Sequence, residues 1–228
     1  MQLYIGNKNY SSWSMRAWVL MKQAGIAFDE VKIRFDAFTP ESSFKTELAR
    51  HTPAGRVPVL LDDGLAVWDT LAIAEYLAEK YPALQLWPAD ARARARARSV
   101  CAEMHSGFAA MRDALGMNIE AALPDVGRRA LHEQPQVRAD VDRIVQIWSE
   151  LLGEHGGPLL FGDFSIADAY FAPVATRFVT YGVPVPVPEP IAGYIDRVQA
   201  LPGVAAWRRD ALAEQDFLAF EEPYRTHR

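Results

Sequence analysis

The chain has 228 residues, half of them hydrophobic, and a formal net charge of −5 at pH 7. This length holds one large domain or two small ones around a sizeable core, and the acidic balance excludes the broad basic surface that nucleic-acid binding needs. No apolar run reaches the roughly 18 residues of a membrane span and no charged leader precedes the first strand, while the single cysteine, Cys101, excludes an intrachain disulfide, a zinc cluster and a Cys-x-x-Cys pair.

These features predict a cytoplasmic protein with no nucleic-acid, membrane or metal partner, one whose thiol chemistry must borrow its sulfur. Met1 to Gly6 reads as a buried strand. Tyr10-Ser11-Ser12-Trp13-Ser14-Met15-Arg16 then leads into a helix predicted from Trp13 to Ala24 by its apolar spacing and stopped by Gly25. A strand, a serine-rich turn and a helix start place hydroxyls and free N–H groups at the positive end of a helix, where an anion is stabilised. Phe28 to Ile33 is a second strand, parallel to the first because a helix crosses over between them. A short helix is expected around Ser43 to Ala49. Val57 to Leu61 is a strand with Pro58 at its start, where proline is tolerated. Asp62-Asp63-Gly64 turns it into Leu65 to Trp68. Asp69-Thr70 opens an amphipathic helix that runs to Lys80 and ends before Pro82.

This order describes an α/β unit over residues 1–81. Residues 82–89, with Pro82 and Pro88 around large apolar residues, read as a linker that packs. Residues 90–228 are almost wholly helical. Asp90 caps a run of alternating Ala and Arg, both strong helix formers, and the spacing of Val100, Met104, Phe108, Met111 and Leu115 predicts one long helix to Leu115 with the arginines on a solvated face. A short polar helix lies within 123–135, and Val137 to Leu152 is amphipathic. Ser165 and Asp168 have capping-box spacing before an apolar helix, Ile166 to Val179, that belongs at the centre of the helical region. Val183 to Pro190, with alternating prolines, is expected to be extended. Helices near Ile191 to Ala200 and Val204 to Ala213 precede a polar tail.

A serine loop, Val57-Pro58 and an acid–hydroxyl pair before a helix, followed by a helical region with this capping box, together resemble the cytosolic glutathione S-transferases over nearly the whole chain. Ser11-Ser12-Trp13-Ser14-Met15-Arg16 is similar to the Ser-Ser-Cys-Ser-Trp-Arg loop of the zeta class, the maleylacetoacetate isomerase-like branch. The resemblance implies an N-terminal thioredoxin-like domain, a C-terminal helical domain, reduced glutathione as cosubstrate and a homodimer. It places Ser11 as the donor to the glutathione sulfur, with Ser12 and Ser14 as fallbacks. A free thiol is roughly 3% ionised at neutral pH, and lowering its pKa by two units takes about 2.7 kcal/mol. A hydroxyl donor with helix-terminal N–H groups is of the right size to supply it.

By the same resemblance Val57 pairs its backbone with the cysteinyl part of glutathione, and Asp69 and Thr70 hold the γ-glutamyl end. Asp69 is one methylene shorter than the family's usual residue. Arg56, where the zeta class has glutamine, meets the glycyl carboxylate. Trp13, His105, Phe108 and Arg112 border the electrophile cleft, and suit a hydrophobic or acidic substrate. From Pro173 to Arg177-Phe178 the spacing is shorter than in the zeta isomerases. The implied activity is therefore addition of glutathione thiolate to a small electrophile, with a zeta-like cis/trans isomerase, a glutathione-dependent disulfide reductase and a non-catalytic interaction module as alternatives.

Overall fold

The structure, a computed structural model, describes residues 1–184 and 190–228. Four short strands, β1 (Gln2–Ile5), β2 (Asp29–Lys32), β3 (Val59–Asp62) and β4 (Leu65–Trp68), form one mixed sheet in the order β2-β1-β3-β4. β1 and β2 are parallel, as the intervening helix α1 (Ser12–Gln23) requires, and β3 is antiparallel to both of its neighbours. Asp63 and Gly64, both at positive φ, make the two-residue turn between β3 and β4. Alternation along β1 sends Leu3 and Ile5 to one face and Tyr4 to the other. The first face is covered by α1 and α3 (Thr70–Lys80). The second packs Tyr4 and Val59 against Phe44 and Leu48 of α2 (Ser43–Leu48).

The segment after α3 packs as expected: Leu86 and Trp87 are buried, and the Trp87 indole donates to Glu75. Helices α4 (Ala91–Ser106), α5 (Ala109–Ala114), α6 (Pro124–Glu133), α7 (Pro135–His155), α8 (Ile166–Tyr181), α9 (Pro190–Ala200) and α10 (Pro202–Glu214) build the rest. α8 is buried along almost its full length and touches α1, α4, α6 and α9. It is the axis of the helical domain and the element that docks it on the sheet domain. The capping box forms, with Ser165 N donating to Asp168 at 2.9 Å; Asp168 also accepts from Leu160 N at 3.1 Å. Burial raises the Asp168 carboxyl to about 6 against these donors.

One expectation is corrected. The long helix does not run to Leu115: it ends at Ser106, Gly107 takes extended torsions and Phe108 sits at φ 57°. Glycine is a poor helix former, and the ends made by the break are satisfied: Arg112 donates to the carbonyls of His105 and Gly107, and Asp140 accepts from Met111 N at 2.9 Å. Beyond this correction, the polar tail after α10 is held by specific contacts. Leu218 completes the core beneath the second face of the sheet, Asp216 pairs with Arg34, and Glu222 accepts from Tyr10 and Asn118 at 2.8 Å each. The extended segment expected between Val183 and Pro190 falls mostly outside the described residues. The arginines of α4 are largely solvated, and Arg96 and Arg98 form ion pairs with Glu150 and Glu75.

Candidate functional site

A cavity of about 830 Å³ opens between the sheet domain and the helical domain. Ser11, Ser12 and Trp13 enter it from the start of α1, Arg56 and Val57 from the loop before β3, Asp69 and Thr70 from the start of α3, and His105 and Arg112 from α4 and α5. Of the predicted site residues only Phe108 is absent from the lining. It is 7% exposed and part of the main core, because the break at Gly107 ends the helical stripe that was to carry it to the cleft.

Ser11 is the N-cap of α1. Its Oγ accepts from Ser14 N at 3.4 Å and shares a hydrogen bond of 2.7 Å with Ser14 Oγ. Ser14 Oγ in turn accepts from Gly6 N at 3.2 Å. Ser11 is the donor in its bond to Ser14 Oγ; a hydroxyl has one proton and two lone pairs, so the Ser11 proton reaches the cavity when the pair reverses and Ser14 donates to Ser11. Ser12 is held from the other side, by Arg177 of α8 donating through Nη2 at 3.2 Å. Its oxygen is thereby engaged and its proton is free.

The peptide bond between Val57 and Pro58 is cis. The N–H and C=O of Val57 have no partner among the described residues, which leaves a donor and an acceptor facing a peptide-like ligand. Thr70 is buried and accepts from the Tyr170 hydroxyl at 2.9 Å, so its own proton is available, and its N–H at the first position of α3 has no acceptor within the helix. These are two donors for one carboxylate. Asp69 lies at φ 75°, a region that costs a non-glycine residue of order 1–3 kcal/mol. Its carboxylate accepts from Leu71 N at 2.8 Å, and His105 Nε2 lies 3.2 Å from its Oδ2. Arg56 is exposed and makes no ion pair among the described residues, so its guanidinium stands free at the rim.

Trp13 is the crossing point of the site. Arg16 and Arg112 lie over its ring at 4.4 and 5.0 Å, and the His105 ring meets it edge-on at 5.0 Å. Arg16 and Arg177 are buried; desolvation is the main cause that lowers them, to about 10 and about 9 respectively, and neighbouring guanidinium charges add to it. Both stay protonated at neutral pH.

Several lining residues were not singled out from sequence. Lys45 donates to the Gly55 carbonyl at 2.6 Å and so holds the loop that carries Arg56. Phe35, Phe38 and Phe44 give the rim an aromatic side, and the tail contributes Glu221, raised to about 7 by burial and by the charge of Glu222. Arg177 was noticed only for its spacing. The signal that would have found it is a lone cation in the otherwise apolar turns of α8, a charge with no reason to be buried unless it is used.

Family models described as Glutathione S-transferase, N-terminal domain, and Glutathione S-transferase, C-terminal domain, match residues 10–80 and 89–210. Among characterised relatives, a maleylacetoacetate isomerase of Pseudomonas aeruginosa is 29% identical over 189 residues, 80% of this chain and 84% of that protein. A probable maleylacetoacetate isomerase of Caenorhabditis elegans is 32% identical over 106 residues, 46% of this chain; the alignment spans 47%, about half, of that protein's length. A glutathione transferase homolog from Burkholderia GL BGR1, solved with bound glutathione, is 27% identical and superposes with a TM-score of 0.69 over 92% of this chain and 97% of its own.

Proposed function

The chain belongs to the glutathione S-transferase family, and on that premise we propose that it binds reduced glutathione across Ser11, Arg56, Val57, Asp69 and Thr70 and directs its thiolate at a small electrophile. The observation that carries the reading is the convergence of unspent donors on one cavity, the Val57 N–H, the Thr70 hydroxyl and N–H and the Arg56 guanidinium, beside the Ser11 hydroxyl, whose bond to Ser14 Oγ can reverse to free its proton.

Glutathione supplies the nucleophilic sulfur. The chain supplies the rest. Thr70 takes the γ-glutamyl carboxylate with two donors at the positive end of α3. Asp69, already paired with His105, faces the neighbouring ammonium group. Val57 pairs with the cysteinyl backbone, and Arg56 meets the glycyl carboxylate. Ser11 donates to the sulfur and, with the first turn of α1, favours the charged form of the thiol. The acting unit is a homodimer in the cytoplasm, as is usual for this family, and among the described residues no helix is long and apolar enough to cross a membrane.

The names of the relatives favour a second outcome for the same thiolate. In a cis/trans isomerase of the maleylacetoacetate type, glutathione adds to the substrate and leaves again. Mass spectrometry of reactions with a panel of small electrophiles separates the two, since a transferase accumulates a glutathione conjugate and an isomerase returns glutathione unconsumed. Absence of glutathione binding by calorimetry would remove both readings.

A further inference from the structure

The loop that carries Ser11 is held from the far end of the chain. Asn7, Lys8, Asn9 and Tyr10, which join β1 to α1, are all buried. Their polar groups need partners to be buried at all, and those partners decide where the loop lies. Glu214, the last residue of α10, accepts from Lys8 N at 3.0 Å and from Asn9 N at 3.5 Å, and the Trp207 indole of the same helix donates to the Lys8 carbonyl at 3.0 Å. The Lys8 ammonium pairs with Asp210, also of α10, at 2.8 Å. Asn7 Nδ2 donates to Asp216 at 2.9 Å, and Asn9 Nδ2 to Asn118 at 3.0 Å. The Tyr10 hydroxyl donates to Glu222 at 2.8 Å. Except for Asn118, these partners lie in α10 and the tail.

The grip reaches Ser11 through the backbone. The Asn7 carbonyl accepts from Tyr10 N at 3.2 Å and from Ser11 N at 2.8 Å, so a shift of this turn carries the N-cap of α1 with it. Neither Glu214 nor Glu222 lines the cavity. Tyr10 does, but its proton is committed: burial, with the bond to Glu222, pushes the phenol up to about 12. Burial also works to raise the Glu222 carboxyl, and its donors Arg225, Tyr10 and Asn118 outweigh that and hold it below its usual range. Tyr10 therefore steadies the loop and does not compete with Ser11 as a donor. A hydroxyl that stabilises an anion must point at it, since a hydrogen bond weakens steeply once its angle falls below about 120°.

We propose that Glu214 and Glu222 are positioning residues for the thiolate: Glu214 through the Lys8 and Asn9 N–H groups, and Glu222 through Tyr10, set where Ser11 presents its hydroxyl to the glutathione sulfur. The proposal rests on the glutathione reading given above. The donor comes from the start of α1, and its aim comes from α10 and the tail.

The test makes two measurements on the same variants: the thiol pKa of bound glutathione by ultraviolet titration, and the affinity for S-methylglutathione, which keeps the peptide contacts and has no thiol proton, by calorimetry. Tyr10→Phe removes one hydroxyl, and Glu214→Ala removes the acceptor of two loop N–H groups. Both are expected to raise the thiol pKa by about 0.5–1 unit, a roughly three- to tenfold fall in the ratio of thiolate to thiol, with the affinity for S-methylglutathione unchanged. The sign is diagnostic. Taking away a nearby negative charge favours the thiolate and lowers the pKa, so a rise in Glu214→Ala comes through the geometry of the loop. In Glu214→Gln the amide oxygen accepts again, and the rise is expected to disappear. Tyr10→Phe changes no charge and remains informative if Glu214→Ala does not fold. A wild-type thiol pKa in Tyr10→Phe, or a lowered one in Glu214→Ala, overturns the positioning role and leaves the glutathione reading in place. So does a loss of S-methylglutathione affinity at constant thiol pKa, the mark of a loop that only supports the fold. If the wild type does not bind glutathione, or binds it without lowering its thiol pKa, that reading fails and takes the proposal with it.

Discussion

Replacing Ser11 by alanine removes the hydroxyl proposed to donate to the glutathione sulfur and leaves the backbone of the first turn in place. A hydrogen bond to a charged group contributes about 1.5–3 kcal/mol, and a pKa unit corresponds to about 1.36 kcal/mol. Ser11→Ala should therefore raise the pKa of bound glutathione by about 1–2 units and, from a bound pKa two units below the free value, cut its thiolate fraction at neutral pH by roughly 3–25-fold. The direction follows from the sign of the interaction: the donor stabilises the anion, so its loss favours the protonated thiol. Folding should suffer little. The cap bond from Ser14 N to Ser11 is long at 3.4 Å, which places the cost near the low end, about 0.5 kcal/mol, of the range for losing a helix cap. The assay is a pH titration of the ultraviolet thiolate absorbance of glutathione bound to the wild type, Ser11→Ala and Ser12→Ala, with affinities measured in parallel. A pKa unchanged in Ser11→Ala, or the larger rise in Ser12→Ala, would refute the assignment of the donor.

Ser14→Ala should cost about 1–3 kcal/mol in urea denaturation, because it strands the buried Gly6 N–H that Ser14 Oγ accepts at 3.2 Å. It should also raise the bound thiol pKa, by less than Ser11→Ala does, since Ser11 would keep its proton and lose its orienting partner. In Gly127→Ala the new Cβ would lie 2.0 Å from the Tyr181 carbonyl oxygen, so α6 must move off the end of α8. A loss of about 1–3 kcal/mol is expected, and unchanged stability would show that the contact yields without cost. The Glu221 carboxyl, raised from 4.5 to about 7 by burial beside Glu222, binds its proton more tightly in the folded protein than in the unfolded chain. Its contribution to stability is complete below pH 4.5 and is lost as pH rises through about 7. Wild type should thus lose stability relative to Glu221→Gln over that window; a difference independent of pH would rule out titration of Glu221.

What the sequence disclosed depended on whether a signal was local. Asp90 and Ser165 each accept from a first-turn N–H of their helix, and Asp63-Gly64 makes its turn with its own torsions. The apolar run of β1 marked it as a buried strand. The roles of Ser11, Val57 and Thr70 came from the resemblance, whose motifs lie within a few residues of a strand or helix end. The break at Gly107 was missed because alanine, arginine and methionine on both sides are strong helix formers, and the compensation lies elsewhere: Asp140 of α7 caps α5. The tail was read only as polar, because its residues are spent on distant partners, Asp216 on Arg34 and Glu222 on Tyr10 and Asn118. Such pairings, across roughly two hundred residues of chain, leave no periodicity to read.

The same long-range contacts explain why the two domains are one functional unit. Thr70 receives its hydrogen bond from Tyr170, Ser12 from Arg177, and Asp69 is paired with His105. Each of these sheet-domain groups faces the cavity, and each is oriented by a residue of the helical domain. A hydroxyl whose oxygen already accepts a bond cannot spend that lone pair elsewhere, and its proton is turned toward the remaining acceptor, the ligand. Fixing these rotors during folding removes an ordering cost that binding would otherwise bear. The sheet domain alone would carry the same residues with their hydroxyls solvated and free to turn. The helical domain therefore contributes to the proposed glutathione site by fixing the oxygens of Thr70 and Ser12 and so deciding which way their protons point.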